Sequence, residues 1–418
     1  MPNPPSRPLG RAFSNVFAAN LGSSLADGVA RTAAPLLATR LTDDPLLVSG
    51  VAVASLLPWL LFAIPAGMVL DRVDRRRALA VANTLRALIA GGLVALTATG
   101  ALTIWWLLAV VLLYGIFETV YDGAIRAVLP SIVDRKDLPR ANGRIEGGEV
   151  VVQQFLSAPL TSWLFAVAVV VPLALGATAY AAAAVLALFL PAAAAGAHVR
   201  RAAPSSEPSA AGAREREPWL HQFLAGFRFV RGHQILWPLW MLSVSIAICF
   251  ATATSTFVLF VLDALGVPES WFGAFMLVGA LGSLLGSLVV GRLQERFGTG
   301  RLMAATNLAG LVSLAVTGAV PQIVVAAVCM FVSFGCVTVW NVNVMSLRQA
   351  LIPDGLLGRV HGTWRTLLWG AMPIGSLLGG LLARAGLGVP LVVGGVVGAA
   401  LALIGYRFLS RLPDPGDV

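Results

Sequence analysis

Asn20, Ser24, Asp27 and Arg31 follow one another at i, i+4, i+7 and i+11 inside the apolar stretch 13–38. At about 100° per residue, the four share an arc of roughly 60° on one helical face. An ionisable side chain inside an apolar helix is costly unless it faces a cavity or finds a partner, so each is a functional candidate. The chemistry open to Asp27 is to bind and release a proton. Arg31, one turn away, favours the carboxylate, whereas burial favours the acid, so the balance changes with access to water. A static buried pair that holds its helix in place is the competing reading of Asp27 and Arg31. A second set, Glu118, Asp122 and Arg126, is also spaced by four, which stacks the three along one face. Glu118 is the second candidate for proton or cation binding, or else a partner for Arg126 or the nearby loop. Glu146, Glu149 and Gln153 share a further face near the end of a span, and the two glutamates read as ligands for loop arginines.

Nucleotide drive is excluded. A P-loop needs Gly-Lys-Ser/Thr, and the only lysine, Lys136, stands between Arg135 and Asp137. Uphill work must draw on an ion gradient or on a partner protein; a proton gradient, with no cofactor, is the expectation. Cys249, Cys329 and Cys336 lie in apolar stretches, and no two of His198, His221, His233 and His361 have metal-ligand spacing, so neither disulfides nor a metal site is expected. The histidines read as surface or loop residues.

The elements that carry these residues must be membrane spans. Of 418 residues, 58% are apolar and 12% charged, with a mean hydropathy of +0.84. A soluble protein carries about 25% charged residues, so this chain cannot cover a globular surface. Apolar runs predict twelve helices over 13–38, 47–70, 78–99, 103–127, 146–170, 173–196, 235–262, 270–292, 302–319, 322–347, 362–384 and 388–410. The net charge of +9 would suggest nucleic acid in a soluble protein. Here the basic residues fall mostly in alternate loops, a topology signal that puts both termini in the cytoplasm and removes the nucleic-acid reading. The N-terminal MPNPPSRPLGRAF has no short apolar core before a cleavage site, so no removable signal peptide is expected. Between two six-helix halves, 1–198 and 234–418, residues 199–233 read as a cytoplasmic linker. Its last part, WLHQFLAGFRFVRG, places Leu220, Phe223, Leu224 and Phe227 on one face, an amphipathic helix suited to a membrane surface.

The halves repeat. After the second span comes Gly67, Asp71, Arg72, Asp74, Arg75, Arg76 and Arg77; after the eighth, Gly291, Glu295, Arg296 and Arg301 recur at the offsets of Gly67, Asp71, Arg72 and Arg77. Two such turns, each after the second span of its half, indicate a duplicated architecture. The pattern G-x-x-x-D-R-x-x-R-R resembles the signature loop of the major facilitator superfamily. The segments LPWLLFAIPAGMVLDRVDRRR, ETVYDGAIRAVLPSIVDRKDLPRANGR and SLRQALIPDGLLGRVHGTWR resemble, more narrowly, its bacterial drug and siderophore exporter branch. That resemblance implies an all-α fold of twelve transmembrane helices in two halves that rock about a central cavity. It also implies that Asp122 latches to Arg75 or Arg76 as a cytoplasmic gate, with Asp71 facing a helix N-terminus. The exporter branch often has Gly-Pro in the fifth span, where this chain has Ala158-Pro159, an incomplete antiport motif.

In the second half, Thr252, Ser255, Asn341, Trp340 and Trp369 are the candidates for lining a cavity, since neutral hydrogen-bonding groups among apolar walls suit bulky, partly apolar cargo. For the tryptophans, packing or interface anchoring is the competing role. Small residues at Gly279, Ser283, Ser287 and Gly291, and at Gly375 and Gly379, form ridges for close helix packing. The expectation is a secondary transporter in a bacterial inner membrane, exporting a small amphipathic compound by proton antiport and working as a monomer with the bilayer and its cargo as partners. Uptake by symport or uniport is the alternative within the same fold. A membrane sensor without transport and an intramembrane lipid-modifying enzyme are the readings from other classes.

Overall fold

The computed structural model describes residues 9–70, 73–134, 137–189, 219–414 and 416–417. Linker residues 190–218, Asp71, Arg72, Arg135 and Lys136 lie outside the described residues. The helices are α1 (Arg11–Leu41), α2 (Pro45–Leu70), α3 (Arg75–Ala98), α4 (Ile104–Ile132), α5 and α6 (Val170–Leu188). There follow α7 (Trp219–Gly232), α8, α9 (Glu269–Phe297), α10 (Thr299–Ala319), α11 (Ile323–Leu351), α12 (Asp354–Ala383) and α13 (Val389–Leu409). α5 runs as Leu138–Val150, a π-helical stretch Val151–Leu156, and Ser157–Val167. α8 runs as Leu236–Thr254, Phe257–Leu259 and a π-helical end, Phe260–Ala264. No strand occurs among the described residues. The all-α membrane architecture expected from hydropathy is the one observed.

Eleven of the described helices are long and apolar enough to cross a membrane. The exception among the expected spans is α1. Its 31 residues would reach about 46 Å, but Asn20, Ser23, Ser24, Asp27 and Arg31 dilute its apolar content. The expected span that falls short in apolar character is thus the one with the most candidate chemistry. Between the fifth and sixth spans the chain breaks at extended Ala168, not at Pro172, which sits in the first turn of α6. A proline is tolerated there because its missing N–H would have had no intrahelical partner.

The described residues form two compact units. One holds α1 through Ala34, α2 from Leu61, and α3 to α6; the other holds Pro35–Leu60 and α7 to α13. In the first unit, Phe13, Val16, Leu79, Tyr121, Ile125 and Leu129 build a buried core. In the second, Leu236, Leu239, Met303, Leu347 and Trp364 do so. α7 is helical as expected, and it docks on α12: the Thr363 hydroxyl donates to the Phe223 carbonyl at 3.1 Å. Gly226 lies against Arg359 and Thr363, where a Cβ would collide, and among 223–232 Gly226 and Val230 are the buried positions.

The ridge expected on α9 is met in part: Gly279 and Ser283 face α11, the Ser283 hydroxyl donating to the Phe334 carbonyl at 3.4 Å. Gly282 and Gly286 also face α11, against the backbones of Phe331 and Gly335, while Ser287 and Gly291 are exposed. Van der Waals contact between backbones is the main attraction open to helices in lipid, and glycines at these positions provide it. Gly375 and Gly379 bring α12 equally close to α8 at Ile248 and Thr252.

Candidate functional site

The first unit contains a buried polar network built on α1. Asp27 does not pair with Arg31, its neighbour one turn along; it pairs with Arg86 of α3. The Tyr180 hydroxyl of α6 donates to the same carboxylate at 2.6 Å. Arg86 is 1% exposed. It also donates to Ser23 Oγ at 3.0 Å and to Asn83 Oδ1 at 3.4 Å, and its guanidinium lies 4.3 Å from the centre of the Tyr180 ring. Ser23, Asn83 and Tyr180 therefore orient one cation toward one anion. Breaking such a pair strands a charge away from water, so the geometry is that of a fixed tie among α1, α3 and α6.

Arg31 reaches across to α4 and donates to Glu118 Oε1 at 2.6 Å. Its side chain is 62% accessible although it lies within the helix, and that of Glu118 is 16% accessible. One turn further along α4, Asp122 is half-buried and makes no hydrogen bond or ion pair with the described residues. Glu118, Glu149, Arg86 and Arg126 lie within its Coulombic range. Asn20 is buried and donates to Glu149 Oε1 at 2.9 Å while accepting from the Tyr121 hydroxyl at 3.3 Å. Glu149 is thus held by a span residue, not by a loop arginine. Ser24 is buried at 2% exposure on the same stretch of α1.

The expected latch is arranged differently. Arg75 donates to the Ala127 carbonyl of α4 at 2.7 Å, and Arg76 pairs with Asp74 at 2.9 Å. Asp74 also caps α3 by accepting from the Arg76 N–H. Both arginines are drawn to groups at their own end of the unit, and Asp122 lies more than two turns before the end of α4. Gly67 lies in α2. In the repeated loop, Gly291, Glu295, Arg296 and Arg301 are exposed, with the Arg296 guanidinium 5.3 Å from the centre of the Phe297 ring. Gln294 makes the tie to α11 there, donating to Asn343 Oδ1 at 2.7 Å.

In the second unit, Thr252 and Ser255 donate to carbonyls of their own helix at 2.9 and 3.3 Å. They stand where α12 approaches at Gly379, so they serve helix contact. Trp340 is 9% exposed within the core; its indole is packing. Asn341 is exposed. Trp369 is half-buried, 5.6 Å from Trp59, and Arg365 lies over both rings at 4.4 Å from Trp59 and 5.1 Å from Trp369. His361 is not a surface histidine: its Nδ1 lies 2.8 Å from Arg348 Nη2, and Arg348 is itself 5% exposed over Trp364.

Sequence reasoning missed Arg86, Tyr180, Arg348 and Arg365. Arg86 was within reach, since an arginine inside the apolar run 78–99 meets the same rule that singled out Asp27. Tyr180 carries no such signal.

Comparison with known proteins places this geometry in a family. Residues 16–372 match the Major Facilitator Superfamily. The enterobactin exporter EntS of Shigella boydii serotype 4 (strain Sb227) is 26% identical over 412 residues, covering 96% of this chain and 92% of the exporter. EntS of Escherichia coli O1:K1 / APEC matches equally well. Among solved structures, a mutant of the nucleoside transporter NupG aligns at a TM-score of 0.75 with 13% identity, covering 96% of this chain and 99% of that one. An inward-facing bacterial homologue of the iron transporter ferroportin aligns at 0.71 with 16% identity, covering 97% and 100%. With a match over most of its length and helices that superpose on solved transporters, the chain belongs to the Major Facilitator Superfamily of membrane transporters.

Proposed function

We propose that this transporter exports small amphipathic compounds, of the drug or siderophore class, across a bacterial inner membrane in exchange for protons, by alternating access. The observation that carries the reading is the Arg31–Glu118 pair. Two charged side chains from α1 and α4 meet within their spans, and Arg31 remains 62% accessible. The Asp27–Arg86 pair, by contrast, is closed in on every side. The exporters that align over nearly the whole chain support the outward direction. Uptake by the same fold is the second reading; Ala158, where the exporter branch often has glycine, leaves the antiport motif incomplete.

Inverted membrane vesicles carrying a proton gradient provide the test. A panel of cationic dyes, macrolides, tetracyclines and siderophores is added, and cargo-dependent proton release is followed. Release by one class, abolished when an ionophore collapses the gradient, is the expected result. Proton movement in the opposite sense would assign uptake by symport, and no movement with any compound from folded protein would remove the proton-exchange reading.

A further inference from the structure

The charges around the Arg31–Glu118 pair do not balance. Asp27 and Arg86 neutralise one another, closed in by Tyr180, Ser23 and Asn83. Arg31 and Glu118 neutralise one another at 2.6 Å. Asp122, one turn from Glu118 on the same face, has no such partner among the described residues. The charged groups that face it are Glu118 and Arg126 from its own helix, Arg31 from α1, Arg86 from α3 and Glu149 from α5. Arg86 is committed to Asp27, Arg31 to Glu118, and Glu149 accepts from Asn20. Arg126 is exposed one turn further toward the helix end. Among these groups, Asp122 and Glu149 lack a committed counter-charge, but Glu149 is held by the Asn20 amide. Asp122 is the carboxylate with neither an ion-pair nor a hydrogen-bond partner among the described residues, inside a span where an ionisable group needs either a partner or a function.

We propose that Asp122 is the residue that takes up and gives off the exchanged proton, with Arg31–Glu118 as the fixed pair against which it works. One O–H bond forms at an Asp122 carboxylate oxygen when a proton arrives from water on one side, and the same bond breaks when the proton leaves on the other. With the proton on, Arg31, Glu118 and Asp122 together are neutral; with it off, they carry one net negative charge. The net negative charge left with the proton off attracts a cationic cargo, and the proton's arrival on Asp122 removes that attraction. The assignment rests on the proton-exchange reading above, and it moves the proton away from Asp27.

The direct test is infrared difference spectroscopy of the purified full-length protein in lipid nanodiscs, titrated with acid and monitored at the carbonyl stretch of a protonated carboxyl. A band present in the wild type should be missing in Asp122→Asn, shifted in Asp122→Glu, and kept in Asp27→Asn. A band that persists in Asp122→Asn, or that is lost in Asp27→Asn, overturns the assignment, as does a wild type with no such band. In vesicles, Asp122→Asn should lower gradient-driven transport by about tenfold or more while cargo-for-cargo counterflow is kept. If the wild type shows the Asp122 band yet moves no protons with cargo, the exchange reading fails and the titrating residue stands. If it exchanges protons and Asp122→Asn does so equally well, the assignment fails and the exchange reading stands.

Discussion

Asp27 shows how far local spacing reaches. Along one helix the visible neighbour of Asp27 is Arg31, four residues on, and that spacing invites a pair. The structure sends the two side chains to different helices, Asp27 to Arg86 and Arg31 to Glu118. A guanidinium held by Ser23, Asn83 and Tyr180 is already oriented when it meets the carboxylate, which an exposed arginine one turn away is not. The burial of Arg86 yields a prediction. Arg86→Met should lower the unfolding free energy in detergent by about 3–5 kcal/mol, because Asp27 is left charged and unpartnered. Adding Asp27→Asn to that variant should recover part of the loss, as read by thermal unfolding of both proteins. Equal stability of the single and double variants would mean that the pair is not what holds α1 to α3.

At the scale of elements, the duplicated loop keeps its sequence pattern but changes its capping. Asp74 caps α3 from the residue just before the helix. The matching position before α10 is Gly298, with φ of +76°, a left-handed conformation that favours glycine and leaves no side chain to cap. Asp414, from beyond the end of α13, supplies the missing acceptor at 2.7 Å from the Thr299 N–H. The Thr299 hydroxyl, and after it the Thr299 N–H, hold the Asp414 carboxyl below the usual carboxylate range. A depressed carboxyl stabilises the fold above its unfolded value, and the contribution fades as pH falls through the folded one. Asp414→Ala should therefore cost about 1 kcal/mol at neutral pH, as caps do. The gap between variant and wild type should close in acid; a gap independent of pH would assign the effect to something other than the carboxylate. The repeat was legible because charges and glycines recur at fixed offsets. The substituted cap was not, since Asp414 is distant in sequence and belongs to no motif.

For the whole molecule, the unit boundary cuts through two helices. Pro35–Leu60 belongs with the second unit although it continues α1 and α2. Its first residue is a proline, which lacks the N–H that would bond the Arg31 carbonyl and so loosens the helix at that point. Two bidentate ion pairs hold the segment: Arg40 with Glu269 of α9, and Asp44 with Arg384 at 3.0 and 2.6 Å. Arg384 keeps the Asp44 carboxyl below its ordinary range. A cavity of about 570 Å³ beside them is lined by Thr39, Asp43, Leu259, Asp263 and Glu269, among others. Exposed pairs contribute roughly 0–1 kcal/mol each, so they bias this arrangement without locking it. In a protein with Cys249, Cys329 and Cys336 replaced, Thr39→Cys should react faster with a membrane-impermeant maleimide once Arg40→Gln and Arg384→Gln are added. An unchanged rate would show that the pairs do not hold the segment in place.

What the sequence by itself determined is what each segment carries within its own length. The spans, the amphipathic α7, the duplicated loop and the family resemblance rest on hydropathy, spacing and local motif, and all of these are properties of contiguous residues. Tertiary structure alone decided which candidates meet. Trp340, Thr252 and Ser255 had the composition of cavity walls, yet helix packing closed over them. Arg86 had no acid at helical spacing, yet the contact of α3 with α1 and α6 made it the partner of Asp27. Asp122 was read as a latch and stands without a partner among the described residues because Arg75 and Arg76 found nearer acceptors. The reason is physical: a carboxylate and a guanidinium attract strongly only within a few ångströms, and how the helices pack, which no single stretch of sequence records, sets those distances.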